Sequence, residues 1–311
     1  MKNIAMKKKY LQIICFTCMS LGMHLYAQQN PQNSFYMLNP LSYNPAYAGS
    51  RGSINLTALG RFQWTGIDGA PMTQFLTVHM PFRNQSIGVG LHISNDRIGS
   101  RTSQAIYADF AYAIRLNKKE DRLSFGITGG VDLNQFNFNG LTVTDPTDLN
   151  YLNSYSGANP NFGAGIYYYG KRHYLGISVP RLLESSLSNS TSSTAVIKRH
   201  YYLAAGYVFK LGSVVDFKPS VLLKIAENAP FTFDVNASFY LFERFWIGGM
   251  YRFNESAGLN FIYNFKNIMH IGYAFDYPYN DLRTNNFGSH EVVLGFDFMK
   301  KKQTVKSARY F

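Results

Sequence analysis

Phe233-Asp-Val-Asn-Ala-Ser-Phe-Tyr-Leu241 is followed by Phe242-Glu-Arg244 and then by Phe245-Trp-Ile-Gly-Gly-Met-Tyr-Arg252. In the first run Phe233, Val235, Ala237, Phe239 and Leu241 alternate with Asp234, Asn236, Ser238 and Tyr240. A period of two sends successive side chains to opposite faces of a strand, so the run has one apolar and one polar face. Three residues between two such runs are enough for a tight antiparallel turn.

The pattern recurs outward in both directions. Ile54, Leu56, Ala58, Phe62 and Trp64 interleave with Ser53, Asn55, Thr57, Arg61 and Gln63, and Leu259, Phe261, Tyr263 and Phe265 run opposite Asn260 and Asn264. Fourteen segments are read this way: 53–64, 73–82, 86–94, 103–116, 122–138, 161–169, 173–181, 200–210, 214–226, 232–241, 245–252, 258–265, 269–277 and 289–298. An even number of strands, mostly about ten residues long, fits an all-β, 14-stranded antiparallel transmembrane β-barrel.

The connections carry a second signal. Those after even-numbered strands are short: 83–85, 117–121, 170–172, 211–213, 242–244 and 266–268. Those after odd-numbered strands are longer, notably 65–72, 95–102, 139–160, 182–199 and 278–288. Outer-membrane barrels have tight periplasmic turns and longer external loops. The asymmetry therefore predicts both termini on the periplasmic side and seven external loops. A soluble sandwich has no reason for so regular an alternation.

Composition agrees. With 46% hydrophobic, 16% aromatic and 15% charged residues the chain is no disordered polymer. Its formal net charge of +12 invites a nucleic-acid reading, but the excess is diffuse. Residues 1–27 hold Lys2, Lys7, Lys8, Lys9 and no acid, followed by an uncharged, mostly apolar stretch from Tyr10 to Leu25 and a small Ala27. That is the layout of a secretory signal peptide cut after Ala27. Both cysteines, Cys15 and Cys18, lie within it, so the mature chain has no disulfide or thiolate chemistry. The one basic concentration left is the tail 299–311, with Lys300, Lys301, Lys302, Lys306 and Arg309, expected in the periplasm.

Outward parity at strand ends gives Phe62, Trp64, Phe82, Phe209, Phe265, Tyr277 and Phe298 the positions of an aromatic girdle. Trp246 has inward parity without evident cause. The lumen set holds both charge signs: Arg61, Asp109, Arg115, Asp132, Asp216, Lys218, Lys224, Asp234, Asp276, Glu291 and Asp297. Such a mixture makes either a paired network filling the barrel or a weakly selective channel, and the lack of a one-sign ladder favours filling. His79, His92, His200 and His270 also point inward, but they lack metal-ligand spacing. Ser289 and His290 are neighbours on a strand, so they face opposite ways and cannot form a nucleophile–base pair. No phosphate loop or nucleophile elbow occurs. The chain is expected to be no enzyme and to carry no cofactor, metal or catalytic residue.

Residues 28–50, QQNPQNSFYMLNPLSYNPAYAGS, have no period, and Pro31, Pro40 and Pro45 exclude a long regular element. An ordered N-terminal arm or plug is the expectation, leaving 51–298 as the barrel.

This segment also carries a resemblance. Ser34-Phe-Tyr-Met-Leu-Asn-Pro-Leu-Ser-Tyr-Asn-Pro-Ala-Tyr-Ala-Gly49 resembles the N-terminal signature of the PorP/SprF family of type IX secretion system outer-membrane proteins of Bacteroidetes. Seven further blocks follow in the family's order. They are Arg61-Phe-Gln-Trp-Thr-Gly-Ile-Asp-Gly-Ala-Pro71, Asn95-Asp-Arg-Ile-Gly99, Tyr174-Leu-Gly-Ile-Ser-Val-Pro-Arg-Leu-Leu183 and His200-Tyr-Tyr-Leu-Ala-Ala-Gly-Tyr-Val-Phe209. Trp246-Ile-Gly-Gly-Met-Tyr-Arg252, Gly272-Tyr-Ala-Phe-Asp276 and Gly288-Ser-His-Glu291 complete them. Gly60, Phe62 and the basic tail depart from the pattern.

The resemblance implies an accessory or adaptor in the outer membrane for export or surface attachment of cargo with a type-B C-terminal signal domain, such as gliding adhesins. It implies contact with periplasmic ring and peptidoglycan-associated secretion components. A passive transporter of small apolar or oligomeric solutes is the alternative. The residues expected to meet partners at the external rim are Asp68, Gly69 and Pro71, then Asn95, Asp96 and Gly99, then Gly288, Ser289, His290 and Glu291. Turn formation accounts equally well for Asp-Gly and Asn-Asp. Asn44, Pro45 and Tyr47 are expected to plug the lumen or to dock a partner.

Overall fold

Alternation along the chain becomes, in the computed structural model, a ring of paired strands. The structure describes residues 31–82, 85–118, 121–137, 154–186, 196–227, 229–266 and 268–298. The expected signal peptide and basic tail lie outside the described residues. The barrel strands are β1 (Ile54–Phe62), β2 (Met72–Pro81), β3 (Ile87–Ile98), β4 (Arg101–Arg115), β5 (Arg122–Phe136), β6 (Tyr155–Tyr169) and β7 (His173–Val179). They continue with β8 (His200–Tyr207), β9 (Val215–Ala226), β10 (Thr232–Leu241), β11 (Phe245–Arg252), β12 (Ser256–Phe265), β13 (Met269–Pro278) and β14 (Ser289–Phe298).

Each strand pairs antiparallel with its sequence neighbours, and β14 returns to β1 with Arg61 opposite Glu291 and Ile54 opposite Phe298. The closed ring of fourteen strands agrees with the sequence reading. Closure matters energetically, because an unpaired backbone group in lipid has no water to turn to. Among the described residues no helix is long and apolar enough to cross a membrane; strands would do so.

The two faces are those of a membrane barrel. Outside stand exposed Phe110, Ile127, Ile177, Ile247, Leu259 and Ile271, while the largest fully buried side chains include Arg61 and Arg252. A soluble domain has the opposite arrangement, since charged residues are almost never fully buried unless paired. Of the expected girdle, Phe62, Phe82, Phe209, Phe265, Tyr277 and Phe298 are exposed on the outer face. Trp246 is buried in the lumen, stacked on Tyr240 with ring centroids 4.3 Å apart, and the Lys218 ammonium lies 5.4 Å from its ring. That stack supplies the reason parity lacked.

Several boundaries differ from the sequence reading. The second long connection, 95–102, is only Gly99 and Ser100, because β3 and β4 pair up to Ile98 opposite Arg101. The polar run Asn95-Asp-Arg continues the strand above the apolar belt, where hydropathy stops marking strands. For the same reason β6 begins at Tyr155 rather than 161 and pairs with β5 along its length. The eighth segment breaks at Val208, which is buried and donates its N–H to the Arg172 carbonyl at 2.7 Å. Phe209–Lys210 then resumes pairing with β9. Arg115, expected in the lumen, ends β4 at the surface and bonds the Asn117 and Lys118 carbonyls.

Candidate functional site

The lumen is occupied by residues of the N-terminal segment, which are buried almost without interruption from Gln32 to Arg51. Two 3₁₀ turns, Pro40–Ser42 and Pro45–Tyr47, shape it. Prolines at their first positions fix φ and lack only an N–H that a turn start would leave unused. The Asn44 carboxamide oxygen caps the second turn by accepting the Ala46 N–H at 3.0 Å, and its nitrogen donates to the Ile166 carbonyl at 3.2 Å.

The wall is cut back to receive this segment. A Cβ on Gly88 would collide with the Ala48 carbonyl, one on Gly126 with the Ala46 backbone, and one on Gly165 with the Asn44 side chain. Inward-facing glycines therefore let backbone lie against backbone. Aromatic contacts fill the remaining width. Tyr47 meets His79 and Tyr167 edge-on at 5.1 and 5.4 Å, and Tyr43 stacks on Tyr202 at 5.7 Å.

Charges fasten both ends. At the mouth carrying the longer loops, Arg61 Nη1 lies 2.6 Å from Asp276 Oδ2, 3.0 Å from Glu291 Oε2 and 2.6 Å from Ser34 Oγ. Glu291 also accepts the N–H groups of Ser34 and Phe35 at 2.7 and 2.8 Å. Asp234 joins Lys224 at 2.7 Å to Arg252 at 3.1 Å. At the other mouth Arg51 pairs with Asp297 at 2.8 Å and donates to the Tyr47 hydroxyl at 3.1 Å. A buried charge survives only when paired and hydrogen-bonded, and these are.

The expected rim residues divide accordingly. Asp68 and Gly69 are exposed, and the Gly69 carbonyl accepts the Gly99 N–H at 2.8 Å, which joins the first two loops. The Pro71 carbonyl accepts from Gln63 at 2.9 Å. Asn95 faces outward on β3 between Gln74 and Gln104, whereas Asp96 faces the lumen and accepts the Thr73 hydroxyl. Those two residues belong to a strand rather than a loop. Gly288 takes φ +94° and is buried, and Ser289 accepts the Trp64 N–H at 3.2 Å. His290 stands on the outer face with the Tyr273 hydroxyl 2.7 Å away. Glu291 is a lumen residue fully buried against the N-terminal segment, so its place at an accessible rim is corrected: strand parity turns it inward. The first described residue, Pro31, lies at the long-loop mouth, whereas β14 ends at Phe298 opposite Ile54 on the short-turn side, as the periplasmic placement of the C-terminal end requires.

That mouth holds a polar cleft lined by Ser94, Asp96, Arg101, Asp132, Arg181 and His200, among others. Arg181 grips Asp132 with Nε and Nη2 at 2.9–3.1 Å. Burial alone would lower the Arg181 guanidinium, but Asp132 and Tyr107 outweigh it and hold it above its ordinary value. Nearby, Lys198 holds the Glu184 carboxyl below the usual range through a 3.0 Å hydrogen bond. Among the described residues no group of three His, Cys, Asp or Glu is arranged to hold a metal ion. The inward histidines are separate: His92 lies 2.8 Å from Asp109, and His79 accepts the Gly49 N–H at 3.1 Å.

Sequence parity missed the seat of the N-terminal segment. The signal was present in the inward glycines, which a strand tolerates poorly unless another backbone comes close.

Comparison with known proteins gives three results. The family model described as "Type IX secretion system membrane protein PorP/SprF" matches residues 25–296. None of the curated protein sequences compared with the chain matches it. Among solved structures the chain is similar to outer-membrane protein Omp33 of Acinetobacter baumannii, at 8% identity and TM-score 0.48 over 79% of this chain and 98% of that one. It is also similar to a KdgM porin in complex with oligogalacturonate, at 8% identity and TM-score 0.38 over 79% and 99%. OmpF of Salmonella typhi is similar at 10% identity and TM-score 0.36 over 80% and 99%.

Proposed function

The chain belongs to the PorP/SprF family of type IX secretion system membrane proteins, and from that premise we propose that it is a plugged adaptor. It is a component of the secretion system in the outer membrane. In this reading the long-loop rim, with Asp68, Gly69, Pro71 and Gly99 exposed or turn-forming, receives exported cargo that bears a type-B C-terminal signal domain. The short-turn rim meets periplasmic ring and peptidoglycan-associated components.

One observation supports the reading: residues 32–51 are buried almost throughout, beside the Arg61–Asp276–Glu291 ion pairs near one mouth and with Arg51 paired to Asp297 near the other. A barrel so filled offers its rims rather than its interior. The N-terminal segment then serves as a plug, and its rigidity fixes the loops that would present a docking surface.

Planar-bilayer recording tests the closed lumen. No steady conductance is expected, whereas stable solute-dependent currents would refute the plug. Crosslinking from outer membranes with mass spectrometry tests the partners: recovery of a signal-bearing secreted protein at the loop rim is expected, and its absence under conditions that capture the periplasmic components would refute the cargo role.

The polar cleft at the long-loop mouth favours a second reading, a passive transporter of small or oligomeric solutes. That reading requires the segment to leave, and uptake of solute by vesicles containing the full chain would support it.

A further inference from the structure

The two rims of the barrel differ in charge. Among the described residues that join one barrel strand to the next on the short-turn side stand Lys118, Lys171, Arg172, Lys210, Arg244 and Lys266. Against these six cations there are two acids, Asp121 and Glu243, a net +4. On the long-loop side the same kind of residue gives four cations, Arg181, Lys198, Arg199 and Arg283. Five acids oppose them, Asp68, Glu184, Glu227, Glu255 and Asp281, a net −1. The short-turn excess is concentrated. Arg115 and Arg122 close β4 and open β5 around Lys118, and β5 pairs with β6 up to Arg122 opposite Tyr169, which sets the Lys171–Arg172 turn alongside. Five cations thus gather on two neighbouring turns.

Their directions separate two roles. Arg115 Nε donates to the Asn117 carbonyl at 3.1 Å, and Arg122 donates to the Gln85 backbone carbonyl and, at 3.1 Å, to its Oε1. Those two fix the turns. Lys118, Lys171 and Arg172 are exposed. On the lipid side of the same rim stand the exposed Ile114, Leu116, Phe209 and Leu211, with which Arg115 and Lys210 alternate. Strand parity therefore turns the basic residues away from the bilayer, and lipid phosphates would meet the apolar set instead. Steering of ions into the lumen is also a poor account, because Tyr47 and Arg51 lie buried behind this mouth. Strands about 4.8 Å apart, tilted by about 40° in a ring of fourteen, make a rim roughly 28 Å across. Such a disc is roughly 600 Å², close to one side of an ordinary protein interface at about 800 Å². A folded face covers it better than a single polymer strand.

We propose that the β4–β7 side of the short-turn rim is a docking surface for an acidic face of a folded periplasmic protein, with Lys118, Lys171 and Arg172 as its charge contacts. The inference rests on the reading that this rim meets the periplasmic secretion components, and it adds the sign and the place of that contact. Charge complementarity of this kind sets orientation and speeds encounter, so the docking weakens with salt.

The test uses the full chain in cells, with the photo-crosslinking residue p-benzoylphenylalanine replacing Gly212 on the adjoining turn, where an added Cβ meets open space. Irradiation is expected to join it to a periplasmic protein through a peptide from an acidic face. Combined Lys118→Glu, Lys171→Glu and Arg172→Glu should lower that product on the order of tenfold. Arg97→Glu, Arg199→Glu and Arg283→Glu on the other rim should leave it unchanged. Reversing acids of the crosslinked face to lysine should restore capture by the reversed chain. Mobility of unheated samples on gels reports that each barrel has folded, and the milder Lys118→Gln, Lys171→Gln and Arg172→Gln set is read in the same way. An undiminished product in both rim sets would overturn the acidic docking while leaving periplasmic contact intact. Crosslinks to phospholipid or peptidoglycan alone would overturn the choice of partner, and no crosslink to any periplasmic protein would overturn the contact itself.

Discussion

Replacing Arg61 by methionine removes the cation at the centre of the loop-side lock while keeping an unbranched apolar stem. Arg61, Asp276 and Glu291 are each 1% exposed or less, so water cannot replace the lost guanidinium. Breaking a buried pair by removing one partner costs about 3–5 kcal/mol. Two contacts remain to offset this. Arg252 lies 4.0 Å from Asp276, and Glu291 keeps the N–H groups of Ser34 and Phe35. The expected loss is therefore at the lower end, about 3 kcal/mol. With a urea slope of about 1–3 kcal/mol per molar, the unfolding midpoint should fall by roughly 1–3 M. The measurement is urea unfolding of the purified chain in lipid vesicles, followed by the mobility of unheated samples on gels. Glu291→Gln in the Arg61→Met background should recover part of the loss, because it discharges one stranded carboxylate, and only part, because its single amide oxygen replaces the two oxygens that now accept from Ser34 and Phe35 separately. An unmoved midpoint in the single variant, or a further fall in the double one, would refute the lock.

Gly126→Val places a branched side chain where the Ala46 backbone lies; the strand should survive, the N-terminal segment should be expelled, and steady bilayer conductance should appear. Leu294→Arg puts a charge on the outer face of β14 and should cost about 2–4 kcal/mol near the bilayer midplane by the same urea assay. Arg181→Ala strands Asp132, which otherwise accepts a two-pronged bond, and should raise protease sensitivity of the adjoining loop without moving the global midpoint by the Arg61 amount. For the exposed pair Glu184–Lys198 the Glu pKa is lowered, so its contribution is present above the ordinary Glu value and is lost as pH falls through the lowered one. Amide exchange in the Ser185–Ile197 pairing, corrected for intrinsic rates, should stay constant from neutral pH down past the usual Glu range and rise only below it.

The wall was legible because lipid imposes a strict rule on it. Where β10 runs through the belt, Val235 and Phe239 must face out and Asp234 and Asn236 must face in, and a period of two records that demand directly. Above the belt the rule lapses. Asn95, Asp96, Ser156 and Asn159 remain paired in β3 and β6, yet both their faces meet polar surroundings, so no alternation marks them and they read as loop. The N-terminal segment was legible only as ordered and aperiodic, since its conformation is imposed by the surface it lies on rather than by a repeat of its own.

The same logic explains why the site residues were harder to place than the strands. Gly288, Ser289, His290 and Glu291 are consecutive, and nearness in sequence made them look like one surface. Strand geometry divides them: Ser289 and Glu291 turn to the lumen, and His290 turns to Tyr273 on the outer face. Partners of the inward pair come from far along the chain, Trp64 for Ser289 and Ser34, Phe35 and Arg61 for Glu291. Ring closure between β1 and β14 and the position of the N-terminal segment inside the wall create those neighbours, and neither leaves a local pattern. What a single strand could have told is that an inward acid in a closed barrel needs a cation, and that Arg61, opposite Glu291 across the closing seam, is where the pairing register puts one. The lock on the N-terminal segment therefore follows from closure itself: the seam that completes the barrel also assembles the anchor that holds its filling.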